Sequence, residues 1–339
     1  MPKPPKVTKP SRAKSTPNVK SGRTRTNASG GSPSAAIPRG VETADVRVPG
    51  GIAHLTNLEK IFFPQLKLTK RDLLQYYLDV APWLLPHLKD RAMVMKRYPG
   101  GIAGPFFFMK RTPDPHPKEL TTCAIEHASG SVIDFPIINS AALLLWVVNL
   151  GCIDLNPWYA RCDETNEPDF LHFDLDPVEG TPFEKVLETA LIVRDALLKL
   201  KITSYPKTTG SRGIHVYVPI VRGPKQKQVW QFAKTFSLEL AAAHPDVITA
   251  EYRVAKRPKG RVLVDYNQNA WGRTLASVYS VRPKPEATVS APVTWKEVER
   301  GIRLEDFTMK TVPLRLKKLG DLWAPLLAKT GRTNLSKLL

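Results

Sequence analysis

The stretch LHFDLDP, residues 171–177, places two aspartates one residue apart inside an otherwise apolar run. Side chains alternate along an extended chain, so Leu171, Phe173 and Leu175 share one face while His172, Asp174 and Asp176 share the other. Two carboxylates this close raise each other's cost of ionisation unless a cation or hydrogen-bond donors offset it. A divalent metal is one such cation; solvated aspartates at a strand end stopped by Pro177 are the plainer alternative. A third carboxylate, Asp265, closes the apolar run RVLVD and precedes Asn267, Gln268 and Asn269. Gathered on one sheet surface, Asp174, Asp176 and Asp265 could hold two divalent ions, one activating an attacking hydroxyl and one clamping a triphosphate. Taken alone, Asp265 reads as the end of a strand at a turn.

Between these acids lies KTTGSRGIHVYV, in which Gly210 and Gly213 bracket Ser211 and Arg212 and free the backbone to curl round an anion. Lys207, Thr209, Ser211 and Arg212 offer charge and hydroxyls to phosphates, and alternation aims His215 toward the same polar side. A glycine-flanked hairpin with a satisfied histidine is the competing account. The chain has no G-x-x-x-x-G-K-[ST] loop, which argues against a P-loop nucleotide hydrolase. Farther upstream, Asn57 and Lys60 fall on one expected helical turn and Lys70 follows Thr69; helix-start amides plus ammonium groups make an anion site for a terminal DNA phosphate. Solvated surface lysines would look the same. Lys96, Arg97 and Lys110 flank Phe106, Phe107 and Phe108, three rings that cannot all face a core from one strand, so at least one is free to meet solvent or a base.

The elements that must position these groups follow from spacing and caps. A strand near 44–48 precedes two capping-box spacings, Thr56 with Glu59 and Thr69 with Asp72, the second opening a helix over KRDLLQYYLDVAPWLLPHL. Strands are expected at RAMVMKRYP, PFFFMKR and SVIDFPII, a buried helix at SAALLLWVVNLG and a return strand toward CIDLNPW. This makes an α/β module over 44–165. From 166 to 290 the order is strand, helix, strand, strand, helix, strand, with Thr181 expected to cap the first helix, whose stripe includes Val186, Leu187, Ala190, Leu191, Leu197 and Leu198. That order fits an RNA-recognition-motif-like, or ferredoxin-like, mainly antiparallel sheet. Short helices over 291–325 and a loose tip over 326–339 complete an α+β protein.

The 339 residues are 42% hydrophobic and carry a net charge of +19, with nine Lys or Arg and no acid among the first forty. Residues 1–43 read as a disordered basic tail that attracts nucleic acid or merely solubilises. Its prolines and lack of an apolar face argue against a mitochondrial leader. AALLLWVV at 141–148 is too short for a bilayer. Cys123, Cys152 and Cys162 form no Cys-x-x-Cys zinc pair and read as separate thiols in a cytoplasmic protein.

The set FDLDP, KTTGSRGIH, VDYNQN and SVRPKPEATVSAPVTW resembles the polymerase domain of bacterial ligase D, of the archaeo-eukaryotic primase superfamily, over about Leu55 to Trp323. The resemblance implies a primase fold, an N-terminal α/β module packed on the catalytic sheet, and a nucleotidyltransferase using two Mn2+ or Mg2+ ions at Asp174, Asp176 and Asp265. It implies that Thr209, Ser211, Arg212, His215, Gln268 and Arg282 surround an incoming NTP or dNTP, with Phe107 and Phe108 as base-stacking rings. Asn57, Lys60 and Lys70 resemble the pocket for a 5′-phosphate at gapped or broken DNA, and Lys96 is a further contact. Such domains fill gaps in non-homologous end joining, commonly favour ribonucleotides, and work with Ku and a ligase, here a separate one. Where the family usually carries a histidine before Pro-Trp, this chain has Asn156, which bears on sugar choice; KRPKGR at 256–261 aligns with no family contact. Alternatives are a primer-synthesising primase, told apart by joining two free nucleotides, and an inert adaptor that binds DNA ends. A manganese-dependent D-x-D glycosyltransferase explains neither Asp265 nor the basic tail.

Overall fold

The structure, a computed structural model, describes residues 36–127 and 129–338. The first module opens with a hairpin of β1 (Thr43–Val48) and β2 (Gly51–Thr56), followed by short β3 (Ile61–Phe63) and β4 (Leu68–Thr69). Helix α1 (Lys70–Leu88) starts at the expected capping box: the Asp72 amide donates to the Thr69 hydroxyl, and the Thr69 amide to the Asp72 carboxylate at 2.9 Å. Leu73, Leu74, Tyr77, Leu78 and Ala81 are buried along it. Thr56 and Glu59 do not repeat the device. Thr56 pairs with Thr43 in the hairpin, and Asn57 sits at φ 54, outside right-handed helix, so residues 57–60 make a turn.

Next come β5 (Met93–Arg97), β6 (Phe107–Met109), β7 (Thr122–Glu126), β8 (Val132–Pro136), α2 (Ala141–Asn149) and β9 (Cys152–Pro157). Strands β6, β5 and β9 form an antiparallel sheet, and β7 with β8 a separate hairpin. Cys123 and Cys162, expected as separate thiols, are joined as a disulfide with Cα atoms 5.8 Å apart; only Cys152 among the three is a free, buried thiol. The pair meets because β7 and the loop after β9 close over one small core that includes Phe135 and Trp158.

The second module contains β10 (Phe170–Pro177), α3 (Phe183–Lys199), β11 (Tyr205–Thr208), β12 (Ile214–Pro219), α4 (Gln226–Ala243), β13 (Ile248–Thr249) and β14 (Val262–Asp265). Its sheet order is β11-β12-β10-β14-β13, antiparallel except for β13 on β14. Leaving aside the added edge strand β13, this is the ferredoxin-like arrangement: the first strand of the repeat lies between the third and the fourth. The apolar face of β10 packs on the helices, with Phe173 and Phe236 rings 4.8 Å apart. Helix α3 buries Val186, Ala190, Val193 and Leu197, but Leu198 is 54% exposed and drops out of the expected stripe. Thr181 does not cap it either. The helix starts one residue later, after Pro182, and the Thr181 hydroxyl donates to the Arg261 carbonyl at 3.1 Å.

Helices α5 (Trp295–Arg300) and α6 (Thr311–Leu319) follow. The segment expected as a loose tip is docked: Leu335 is fully buried, and Arg332 donates to the carbonyls of Asp169 and Ile220. A continuous apolar core runs through both modules. The expected basic tail lies mostly outside the described residues, at 1–35. Its last part, however, is packed: Ile37 is 1% exposed, and its carbonyl accepts two hydrogen bonds from Arg71. Among the described residues no helix is long and apolar enough to cross a membrane.

Candidate active site

The register of the second sheet aligns four polar residues in one row across it: Lys207 on β11 faces His215 on β12, His215 faces Asp174 on β10, and Asp174 faces Asp265 on β14. Directly opposed residues project to the same side of a sheet, so the row stands on the face away from α3 and α4. The expectation that strand pairing brings Asp265 to Asp174 is met. Asp176 stands on this face one step farther along β10.

Each carboxylate has a different partner. His215 Nε2 is 3.2 Å from Asp174 Oδ1; Arg212 donates to Asp176 at 3.1 Å; the Asn267 amide and Gln268 Nε2 donate to Asp265 at 2.8 and 3.1 Å. Burial pushes the Asp174 carboxyl up to about 6, against the pull of Lys207, Arg282 and Arg212. Burial, then the charge of Asp174, raises Asp176 and Asp265 above the ordinary carboxylate value. The three acids are thus short of positive charge, and their oxygens are the hard donors that Mg2+ or Mn2+ prefers, so the donor set fits such ions. The expected close cluster does not form, however: among the described residues no three acidic, His or Cys side chains are gathered tightly enough to hold an ion. Arg212 draws Asp176 outward while Gln268 and Asn267 hold Asp265 at its own turn.

An open cleft of about 320 Å³ lies over the middle of this row, at His215 and Asp174; Lys207 and Asp265 are outside its lining. Asp174, Asp176, Thr209, Ser211, Arg212, His215, Gln268 and Arg282 line it, and Lys96, Phe108, Asp154 and Asn156 close its other side. The glycine-bracketed turn is built differently from expectation. Its amides do not stand free for an anion: those of Ser211, Arg212 and Gly213 all donate to the Thr209 hydroxyl at 3.0–3.2 Å. Arg282 fixes the turn from behind through the Thr209 carbonyl at 3.1 Å and lies 3.5 Å from Asp154. What the turn presents to the cleft is therefore side chains. Lys207 is not among them, being fully buried with its ammonium spent inside the fold.

Sequence reasoning passed over the cleft residues Asp154, Thr274, Leu275 and Ala276, of which Asp154 is the charged one. The apolar alternation of CIDLNP hides it, and only its pairing with Arg282, 128 positions downstream, marks it. Asn156 on the same strand is 8% exposed and donates to the Asp154 carbonyl at 3.0 Å.

Phe106, Phe107 and Phe108 are all exposed, at 51%, 44% and 59%. The Lys96 ammonium stands 4.1 Å from the Phe106 ring centre and 5.6 Å from that of Phe108, while the Arg97 guanidinium stands 5.2 Å from Phe107. Phe108 reaches the cleft; Phe107 is outside its lining. Asn57, Lys60 and Lys70 form a separate place, away from the carboxylates. Lys70 Nζ donates to the Thr56 carbonyl and Lys60 Nζ to that of Pro99, each at 2.7 Å. Burial, then the neighbouring charges of Lys60 and Arg97, brings the Lys70 ammonium down to about 8. This is a cluster of cations, though not the expected helix-start nest: the amides of Lys70, Arg71 and Asp72 are already bonded to Lys60, Leu58 and Thr69.

Comparison with known proteins agrees with this geometry. A family described as LigD, primase-polymerase domain, matches residues 69–323. The chain is 33% identical over 274 residues to the multifunctional non-homologous end joining protein LigD of Mycolicibacterium smegmatis, covering 80% of this chain and 36% of that protein. The bifunctional LigD of Bacillus subtilis is 32% identical over 268 residues, covering 78% and 42%. The chain thus spans well under half the length of these relatives. Among solved structures, the polymerase domain of Mycobacterium tuberculosis ligase D in complex with DNA matches with a TM-score of 0.76 and 31% identity, covering 81% of this chain and 98% of that one. With fold, sheet order and sequence in agreement, the chain belongs to the LigD primase-polymerase domain family, a family of nucleotidyltransferases.

Proposed function

We propose that the chain is a template-dependent polymerase that fills gaps and extends 3′ ends at DNA breaks, in non-homologous end joining or related repair, with NTPs favoured over dNTPs. The observation that carries this reading is the register pairing of Asp174 with Asp265 beneath a cleft lined by Thr209, Ser211, Arg212 and Arg282. In the reaction the primer 3′-hydroxyl attacks the α-phosphorus of the nucleotide, a new phosphodiester forms, and pyrophosphate leaves. Asp174, Asp176 and Asp265 would hold two divalent ions, Mg2+ or Mn2+, which when bound supply Lewis-acid stabilisation of the charge on the reacting oxygens. Arg212, Ser211, Gln268 and His215 orient the triphosphate, with Thr209 holding the turn of Ser211 and Arg212 in shape. Asn156 and Asp154 offer acceptor oxygens to sugar hydroxyls on the opposite side, and Phe108 offers a ring face to the base.

The Lys60, Lys70 and Arg97 cluster, with Asn57, suits the 5′-phosphate on the far side of a gap, which would supply the anion this cluster lacks. Gapped or broken DNA is then the natural substrate, and Ku and a DNA ligase activity are what such work calls for. Primer extension on a 5′-phosphorylated gap, with manganese and with each nucleotide set, tests the reading. Wild type should extend with NTPs in preference, and the Asp174→Ala, Asp176→Ala double variant should lose activity by 10³-fold or more, on the order expected when charge stabilisation at a reacting centre is removed. Undiminished extension by the double variant would sink it.

A further inference from the structure

Lys207 ends the polar row at the β11 side; burial, then the charge of Arg282, pulls its ammonium well below the ordinary lysine range, and Nζ meets three polar groups. Nζ lies 2.7 Å from His215 Nδ1, 3.0 Å from the Ala276 carbonyl and 2.5 Å from Ser290 Oγ. The carbonyl can only accept. Ser290 directs its own hydroxyl hydrogen to the Thr208 carbonyl at 2.8 Å, so toward Lys207 it too accepts. In the charged form two of the three ammonium protons are thereby placed, and the third is left for His215 Nδ1. A ring nitrogen that accepts carries no proton, so neutral His215 holds its hydrogen on Nε2. That nitrogen faces Asp174 Oδ1 at 3.2 Å, and the residue borders the cleft. The reverse arrangement, with Nδ1–H donating to an uncharged amine, would set a bare Nε2 lone pair against a carboxylate oxygen.

We infer that Lys207 is a positioning residue: by donating to His215 Nδ1 it fixes the imidazole as an Nε2–H donor toward Asp174 and the cleft. Lys207 never meets the substrate, since it is fully buried. Its influence passes through one ring, in the way that an outer hydrogen bond sets the orientation and tautomer of a working histidine. The functional half of this inference rests on the polymerase reading: an N–H, and not a lone pair, then faces the incoming triphosphate and steadies Asp174.

Selective ¹⁵N labelling of histidine in the full chain reads the tautomer directly. Wild type is expected to show His215 protonated on Nε2 with a hydrogen-bonded, unprotonated Nδ1. Lys207→Met, similar in length but without donors, should raise the Nδ1–H population and increase the KM for nucleotide about tenfold, with a smaller change in kcat, as for loss of one charge-assisted hydrogen bond. Lys207→Gln keeps a donor and should restore part of both. The tautomer is read on wild type, so the assignment stands or falls even if a variant fails to fold. A polymerising wild type with Nδ1–H His215, or an Lys207→Met variant with tautomer and KM unchanged, would overturn the inference alone. An Nε2–H wild type that extends no primer would uphold the tautomer and overturn the polymerase reading.

Discussion

Asp174 is held at an energetic disadvantage as a carboxylate, because burial costs it more than its cationic neighbours return. Its carboxyl is raised from 3.8 to about 6 because it is desolvated in the middle of a sheet, with the charges of Lys207, Arg282 and Arg212 as partial relief. A carboxyl whose folded value exceeds its unfolded value binds its proton more tightly when folded, so folding is favoured at low pH and loses stability as pH rises through the folded value. For this shift the loss is about 2–3 kcal/mol, at 1.36 kcal/mol per pH unit. Asp174→Asn keeps the shape and an oxygen to accept from His215 Nε2, without the charge. Thermal unfolding without divalent ions should therefore find the variant equal to wild type below pH 3.8, increasingly more stable as pH rises to about 6, and ahead by a constant margin above. A variant that is less stable at neutral pH would show that the carboxylate is already compensated.

At the scale of elements, the turn between β11 and β12 decides whether the row is assembled. Gly213 is the tightest point: a Cβ there would lie 2.0 Å from the Leu175 carbonyl oxygen, backbone that cannot yield without parting β10 from β12. Gly213→Ala should cost about 3 kcal/mol by denaturant unfolding and weaken nucleotide binding, since the same shift moves His215 off Asp174. Gly180→Ala is the control: with φ +80 and open space around it, it should cost about 1 kcal/mol and leave binding alone. This element was only half legible. Alternation gave β10, β12 and β14, and the order of strands and helices gave the sheet, because both are written in local periods. The Thr209 hydroxyl gathering three amides was not, since a loop's hydrogen bonds follow no period, and Lys207 reads as an anion ligand until Ala276 and Ser290, far downstream in irregular chain, are seen to close over it. Asn57 misled in the same way: capping-box spacing is a pattern, and a single residue at positive φ overrides it.

On the scale of the whole molecule, residues far apart in sequence tie the modules together at Asp169. Arg91, just after α1, contacts both its carboxylate oxygens at 2.7 Å, Arg161 adds a contact at 3.1 Å, and Arg332 from the chain's end holds its carbonyl at 2.7 Å. A similar tie at the other end docks Ile37 onto α1. Ile37 is buried, its amide donates to Gln75 at 2.8 Å, and its carbonyl takes both the Nε and Nη2 hydrogens of Arg71. Removing residues 1–35 and removing residues 1–43 are therefore different experiments. The shorter deletion takes away eight Lys or Arg and no acid. It should lower DNA affinity most at low salt, flattening the dependence of log K on log salt, because fewer counterions are released. The longer deletion should add a loss of about 2–4 kcal/mol of stability, from the hole left by Ile37 and from a largely buried Arg71 guanidinium deprived of its acceptor. Equal unfolding temperatures for the two proteins would refute the docking of Ile37, and equal salt slopes for wild type and the shorter deletion would refute an electrostatic role for the first 35 residues.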